Sequence, residues 1–439
     1  MRKAVLIISI ILLAAQLRVT AQQDGPWTLE KCIEYALSQN IKVRKTELTN
    51  QRLELSAEQT RAQRLPSASA SISQNFNWSK STATGSSALT GSNGSSYSVS
   101  SGITVFNASR LSNLIKQAEL DIQSGILTLE TTKESISLNI LNAFLQVLYA
   151  EENVKNSQKQ IESTSSQLNL ASERLAMQVI SQSDYAQVKS QLASEKLSLA
   201  NAESQLAIAK VSLMQLMELP VTADFQVANP DLSGSLNQKR VPDVKSVYES
   251  ALAIKPQIKN AAVNKEIAAL DEKVAKAGYF PNLSASAGIS SSYSSIGTDN
   301  YFTQVNDAIR PSAGFSLSIP IYQRKQVKTS VANARLGYQD AELSETDTRN
   351  QLRKSIEQAC QDVTSAQIEY EASLEKYNAT FESSTLSDEK FRQGIINSVD
   401  YLVSKTNLII AESQLLQSKF NLIFSYKILD FYVGIPFTL

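Results

Sequence analysis

The stretch Arg64–Trp78 reads RLPSASASISQNFNW. It follows charged, helix-forming sequence, and Pro66 breaks that pattern. Beyond the proline the residue types alternate. Ala68, Ala70, Ile72, Phe76 and Trp78 fall on one parity, and Ser67, Ser69, Ser71, Ser73, Asn75 and Asn77 on the other. Period two marks a β-strand whose two faces meet different surroundings. Three more segments do the same. Tyr97, Val99, Ile103 and Val105 oppose Ser98, Ser100, Gly102 and Thr104. Leu283, Ala285, Ala287, Ile289 and Tyr293 oppose Ser284, Ser286, Gly288, Ser290 and Ser292. Ala313, Phe315, Leu317, Ile319 and Ile321 oppose Ser312, Gly314, Ser316 and Ser318. Strands are therefore expected at about 66–78, 97–106, 281–293 and 312–322.

An apolar face backed by a small, polar one suits a strand between lipid and a water-filled lumen. A half-buried soluble sheet shows the same alternation. The amino terminus favours the membrane. MRKAVLIISIILLAAQLRVTAQ has a basic start (Arg2, Lys3), a short apolar run (Ala4–Ala15) and small residues at Val19 and Ala21, the form of a signal peptide over 1–21. No later segment approaches the ~18 apolar residues of a membrane-spanning helix. Four strands cannot close, and open edges in hydrocarbon leave backbone groups unpaired at several kcal/mol each. Two chains would supply about eight strands, too narrow for water, and three about twelve. Polar loops at Ser79–Ser96 and Ser294–Arg310 would then be flexible and face outside.

The chain also repeats itself. Ala36-Leu37 recurs as Ala251-Leu252, Leu65-Pro66 as Phe280-Pro281, Asp184-Tyr185 as Asp400-Tyr401, and Leu219-Pro220 as Ile435-Pro436. Leu192, Leu199, Leu206 and Leu213 find counterparts in Leu408, Leu415, Leu422 and Leu429. A fixed period of this kind signals duplication. The expected organisation is a first repeat over 22–220, a proline-containing connector over 221–243 and a second repeat over 244–439. Each repeat opens with a helical stretch (Thr28–Leu65, Val244–Phe280), continues as two strands, and ends in a long helical hairpin, 108–219 and 324–434. Neither Gly nor Pro interrupts Ile126–Leu219 or Tyr338–Gln393. The leucines, with Ala202, Ala209 and Leu216 or Ala411, Ser418 and Ser425 between them, step by three and four, the coiled-coil spacing. At ~1.5 Å per residue, one such helix over 108–177 is on the order of 100 Å long. Turns are expected near 177–183 and 393–399.

Composition excludes much chemistry. Lys+Arg and Asp+Glu are equal at 42 each, which gives no reason to expect nucleic acid. With no histidine, Ser-His-Asp and Cys-His machinery and histidine metal ligands are absent. GSSALTGSNGSS (Gly85–Ser96) lacks the Lys-Ser/Thr of a phosphate loop. Glu151-Glu152 diverge on a helix and read as solvated surface. Cys32 and Cys360 could pair or stand as separate buried thiols. No cofactor is expected.

These features together resemble the TolC-like outer-membrane efflux proteins. The carriers are the duplicated helix–strand–strand–helix unit, LEKCIEYALSQN from Leu29, the prolines Pro66 and Pro281, and FRQGIINSVDYL at Phe391–Leu402 with its aromatic–Gly–Asp spacing (Phe391, Gly394, Asp400). The resemblance covers residues 24–439. It implies a membrane α+β fold: a homotrimeric, twelve-stranded transmembrane β-barrel with four strands per chain, continuous with a long periplasmic α-helical barrel, the connector lying near that barrel's equator. It implies a non-enzymatic bacterial outer-membrane conduit in tripartite efflux or type I secretion. Its partners would be a periplasmic adaptor, an inner-membrane transporter and outer-membrane lipid. Small molecules or polypeptides could be the cargo, and a secreted coiled-coil structural or adhesive protein is the more distant alternative.

The family's pore constriction maps onto Asp400 and Asp184, whose carboxylate rings would favour cations; each could equally cap a helix. Phe391 stands where relatives often carry a gate tyrosine. Ile396 stands at the place of a gate arginine, Val403 at that of a second aspartate, and Gln178 at that of the first turn's glycine. Apolar packing of Ile395, Ile396 and Val399 is the expected replacement for those polar ties. The turns Met177–Gln182 and Gln393–Ser398 are expected to meet the adaptor through Gln178, Val179, Gln393, Gly394 and Ile395, or to be plain solvated turns.

Overall fold

A computed structural model describes residues 25–80, 89–221, 225–230 and 243–438. The signal peptide and most of the connector lie outside the described residues. Nine helices and four strands run in chain order among those residues. They are α1 (Leu29–Gln39), α2 (Ile41–Ala62), β1 (Ser67–Lys80), β2 (Leu89–Phe106), α3 (Arg110–Ala176), α4 (Gln182–Leu216), α5 (Val244–Ile254), α6 (Pro256–Ala277), β3 (Asn282–Ser294), α7 (Tyr301–Asp307), β4 (Arg310–Ser318), α8 (Gln326–Arg392) and α9 (Ser398–Val433). The long helices α3 and α8 both contain 67 residues, so the two halves match in length as well as in order. Backbone geometry repeats too. Left-handed residues occur at Ala108, Ser109, Gln178 and Glu218, and again at Arg324, Lys325, Gly394 and Gly434.

The chain divides into two compact units, and neither follows the repeat. Each draws segments from both halves. The first contains α1, α4, α5, α9 and the carboxyl-terminal parts of α3 and α8. Its core is formed by Ile140, Leu141, Phe144 and Leu148 of α3, Leu213 of α4, Ile356 of α8, and Leu422 and Ile423 of α9. Ala411 and Ser418 are fully buried, and these small side chains let neighbouring helices approach. Trp27 pairs with the connector, its N–H donating to Gln226 O (2.8 Å) and its carbonyl accepting from Ala228 N (2.8 Å). Cys32 and Cys360 are separate buried thiols. Burial, then nearby Glu30, pushes Cys32 up to about 12.

One ion pair sits within this helical core. Lys405 and Glu195 approach to 3.8 Å with side chains 8% and 4% exposed. Lys405 also donates to Thr164 Oγ1 and, at 3.4 Å, to Gln167 Oε1. Gln191 donates to Glu195 Oε1 (3.1 Å), while Glu195 Oε2 has no partner among the described residues. Burial holds the Lys405 ammonium below the ordinary lysine range. A pair this dry is weak as a source of net stability but costly to break from one side.

The second unit holds most of α2, the sheet, α6, α7 and the amino-terminal parts of α3 and α8. Its helices meet through polar contacts: Arg61 with Glu119 (2.9 Å), Gln117 with Asp271 (2.9 Å) and Ser124 with Asn260 (2.7 Å). At Gly125 α3 comes close to α2, and a Cβ there would lie 2.4 Å from Asn50 Oδ1, so that side chain would have to shift. The sheet is antiparallel in the order β1-β2-β3-β4, so β1 and β4 each pair on one side only.

Register aligns the faces of all four strands. Ala70, Val99, Ile289 and Pro311 form one cross-strand row; Ser69, Ser100, Gly288 and Ser312 form the next, on the opposite face. Serines pair directly on that polar face, Ser69 with Ser100 (3.1 Å) and Ser71 with Ser98 (2.7 Å). Large side chains on the apolar face are bare, with Trp78 69% and Phe315 80% exposed.

Three extents differ from the sequence expectation. β2 starts at Leu89, because Gly91–Ser96 pairs with Ser73–Trp78 despite lacking apolar alternation. β4 ends at Ser318, since Pro320 has no N–H and restricts Ile319 before it. The second loop is not a plain flexible segment: it contains the helix α7. Residues 81–88 of the first loop lie outside the described residues.

Lys405→Ala should destabilise the helical unit by about 3–5 kcal/mol, by stranding Glu195. The double variant Glu195→Leu/Lys405→Met should recover most of that loss. Thermal loss of helical circular dichroism in detergent measures both, and equal destabilisation by the two would contradict the assignment.

Candidate functional site: the paired helix turns

Two turns close the hairpins, and both belong to the first unit. In the first, Gln178 takes φ +58, and Val179 N donates back to Arg174 O (2.9 Å). Gly394 takes φ +75 in the second, where Ile395 N donates to Lys390 O (2.9 Å). A left-handed residue ends each long helix by satisfying its last carbonyls. Glycine does this without strain; Gln178 carries a Cβ in the same conformation.

The next helices start with side-chain caps. Ser181 and Asp184 form a reciprocal capping box on α4. Asn397 caps α9, its Oδ1 accepting from Asp400 N at 2.9 Å. The two aspartates then part company. Asp184 is half-buried, and its Oδ2 accepts from Ser181 N (3.2 Å) and Ser181 Oγ (2.6 Å). Its Oδ1 accepts from the hydroxyl of Ser398, which ties one turn to the other. The Ser181 hydroxyl, and next that of Ser398, hold the Asp184 carboxyl below the usual carboxylate range. Asp400 is exposed, and no side-chain partner meets its carboxylate among the described residues.

Phe391, expected at the constriction, is buried within the chain, stacked on Tyr401 at 4.6 Å and 15°, with the Arg174 guanidinium 6.0 Å from its ring. Its apolar ring lies on the helix face that packs against α9. Arg174 also donates to the carbonyls of Phe391 (3.0 Å) and Arg392, a second tie between the turns. Burial, then Asp388, raises the Tyr401 phenol above its ordinary range. Ile396 is half-buried, whereas Ile395, Val399 and Val403 are 64%, 49% and 56% exposed. The expected packing of Ile395 and Val399 is thus not made within one chain. Gln178, Val179, Gln393 and Gly394 are all exposed. Beside the turns, an open groove is lined by Ser163, Gln167, Arg174, Asp388, Phe391 and Tyr401.

Sequence reasoning missed Arg174 and Ser398. A cation in the last turn of a helix, facing free carbonyls, was the available signal for Arg174. Ser398 had none, since its contact exists only once the two turns meet. No cluster of His, Cys, Asp and Glu that could hold a metal occurs among the described residues, nor does a helix long and apolar enough to cross a membrane.

Comparison with known proteins returns a coherent set. An uncharacterized Haemophilus influenzae protein is 22% identical over 54% of this chain, a match spanning only half of that protein's length. The outer membrane protein TolC of Salmonella enteritidis is 24% identical over 75% of this chain and 67% of its own. The solved structure of CusC, described in connection with transmembrane channel formation, superposes with a TM-score of 0.79 at 15% identity, covering 95% of this chain and 96% of that one. The family model described as outer membrane efflux protein matches residues 32–218 and 247–434, one match in each half. The chain therefore belongs to the outer membrane efflux protein family and, with it, to the bacterial outer membrane.

Proposed function

We propose that three copies of this chain form one passive duct, a twelve-stranded barrel in the outer membrane continuous with a periplasmic tube of helices. The observation that carries this reading is the sheet: one apolar face in register across four strands, with Trp78 and Phe315 bare, and two edges without partners among the described residues. Lipid would cover the face, and β1 of one copy would complete β4 of the next, satisfying the backbone groups that hydrocarbon cannot. The serine face would line a wet lumen. Leu197 and Ile208 of α4, and Leu336, Leu343 and Ile368 of α8, are exposed apolar residues on long helices and would meet neighbouring copies. The two repeats are the sequence expression of this plan, each supplying two strands and one hairpin.

The turns would form the regulated end. Asp400, unpaired and exposed, would place one carboxylate per copy around the axis, with Ile395, Val399 and Val403 packing between copies. Asp184, bonded to Ser398, would act as a tie within each copy rather than as a free ring. The exposed turn residues Gln178, Val179, Gln393 and Gly394, with the groove beside Arg174, would receive a periplasmic adaptor, and an inner-membrane transporter would supply energy and choose the cargo. Small molecules are the cargo proposed; the same bore would pass polypeptides.

Purified protein should form pores in planar bilayers. A chain that fractionates away from the outer membrane and never conducts would instead be a secreted structural protein. Asp400→Asn should shift the reversal potential toward loss of cation preference, while Asp184→Asn leaves selectivity largely intact; unchanged selectivity in Asp400→Asn would remove the ring. Ser398→Ala should raise the open fraction several-fold, for loss of about 1–2 kcal/mol of tie. The tie has a defined pH window. A carboxyl whose folded pKa is depressed contributes fully above its unfolded value of about 3.9 and loses that contribution as pH falls through the folded one. Open fraction should therefore stay flat from neutral pH down to about 5 and rise only in stronger acid.

A further inference from the structure

The helix α7 is placed where a simple loop was expected, and it lies on the apolar side of the sheet. The Tyr301 ring meets that of Tyr293 at 4.8 Å, tilted by 54°, and its hydroxyl bonds that of Tyr97. The Ser291 hydroxyl donates to Val305 O. Tyr97 and Ser291 are direct cross-strand partners on the same face as Val99 and Ile289. The helix is firmly built. Asn300 caps it, accepting from Thr303 N at 3.0 Å. Gln304 accepts from Ser294 N (3.0 Å) and donates to Asp299 O (2.6 Å). Gly297 passes so close to Gln304 that a Cβ there would come within 2.8 Å of it.

Along this face the composition changes with height. The rows through Leu283–Leu317, Ala285–Phe315 and Ile289–Pro311 are apolar. Toward the loop end they become polar: Gln74 opposite Ser95, and Asn93 opposite Phe76. Ser95 bonds Gln74 and is 6% exposed, and Asn93 Oδ1 is buried without a partner among the described residues. Hydrocarbon does not tolerate such groups bare. From Leu283 to Tyr293, at ~3.3 Å per residue and ~40° tilt, the strand climbs about 25 Å, the height of a barrel's apolar band. Tyr293 and α7 therefore stand at its upper rim. Trp78 and Phe76, stacked at 6.5 Å, stand on the same face at the same end. Phe302 projects from α7 at 82% exposure, and Ile296 before it at 77%.

We propose that α7 is an interfacial anchor: it lies on the outer wall of the barrel at the boundary between acyl chains and headgroups, shelters the polar upper rows of the sheet, and sets Phe302 and Ile296 into the lipid. This rests on the membrane-barrel reading of the sheet. The occupant of the exposed surface is lipid, because α7 continues a face whose lower rows are apolar and uncovered, and because the residues it adds to the rim are aromatic, the type that settles at that depth.

The test uses the full chain in phosphatidylcholine/phosphatidylglycerol vesicles. Phe302→Cys is labelled with an environment-sensitive fluorophore, with the buried Cys32 and Cys360 checked by labelling the unsubstituted protein. Lipids carrying a nitroxide high on the acyl chain should quench the label at 302, and aqueous iodide should not. Ser98→Cys, on the polar face, should show the reverse. A label at 302 quenched by iodide and untouched by nitroxide lipid, in protein that still conducts, overturns the anchor and leaves the duct standing. Protein that neither inserts nor conducts overturns both.

Discussion

A backbone N–H or C=O has no partner in hydrocarbon other than protein. That single constraint organises the second unit. β2 and β3 are paired on both sides, whereas β1 and β4 end the sheet with one side free. Tryptophan and phenylalanine stand bare on one face of the sheet, Trp78 at 69% and Phe315 at 80% exposure. A sheet with that face in water would be an aggregation hazard, and with those edges in lipid would be prohibitively costly. On the proposed reading, both difficulties are resolved by the same event, the joining of edges between copies.

The first unit answers a different demand. Its long helices must turn sharply and then hold the turns in place. Left-handed residues at Gln178 and Gly394 end α3 and α8, and serine and asparagine caps restart the chain. Contacts across the turns then fix one hairpin to the other: Asp184 with Ser398, Arg174 with the carbonyls of Phe391 and Arg392, and Phe391 with Tyr401. The first of these is a part-buried hydrogen bond whose Ser398 donor is only 2% exposed. The Lys405–Glu195 pair, further along α9, is buried on both sides and is costly to break from one side.

Much of this was legible in the sequence because two periods are printed in it. Parity separates Ala68, Ala70 and Ile72 from Ser67, Ser69 and Ser71 without any structure, and the duplication flags Gln178 against Gly394. What stayed hidden has physical reasons. Gly91–Ser96 carries no alternation, so only its ladders with β1 and β3 make it strand. α7 has seven residues and no apolar repeat, and its existence depends on the Asn300 cap and on tyrosines distant in sequence. Phe391 is buried against Tyr401, a contact that exists only once the helices are packed. Lys405 and Glu195 look like ordinary solvated helix charges until the helices are packed. The capping box of Ser181 and Asp184 could be read locally; the bond from Ser398 could not.

The central claim concerns which strands meet. Single cysteines placed along β1 and along β4, on the polar face at positions such as Ser69 and Ser312, would be oxidised in outer-membrane preparations and resolved by denaturing electrophoresis. The account predicts that some β1–β4 pair cross-links between chains into dimers and trimers, with no larger species. Cross-links absent at every register, or an open ladder of ever larger oligomers, would contradict a closed barrel of three copies.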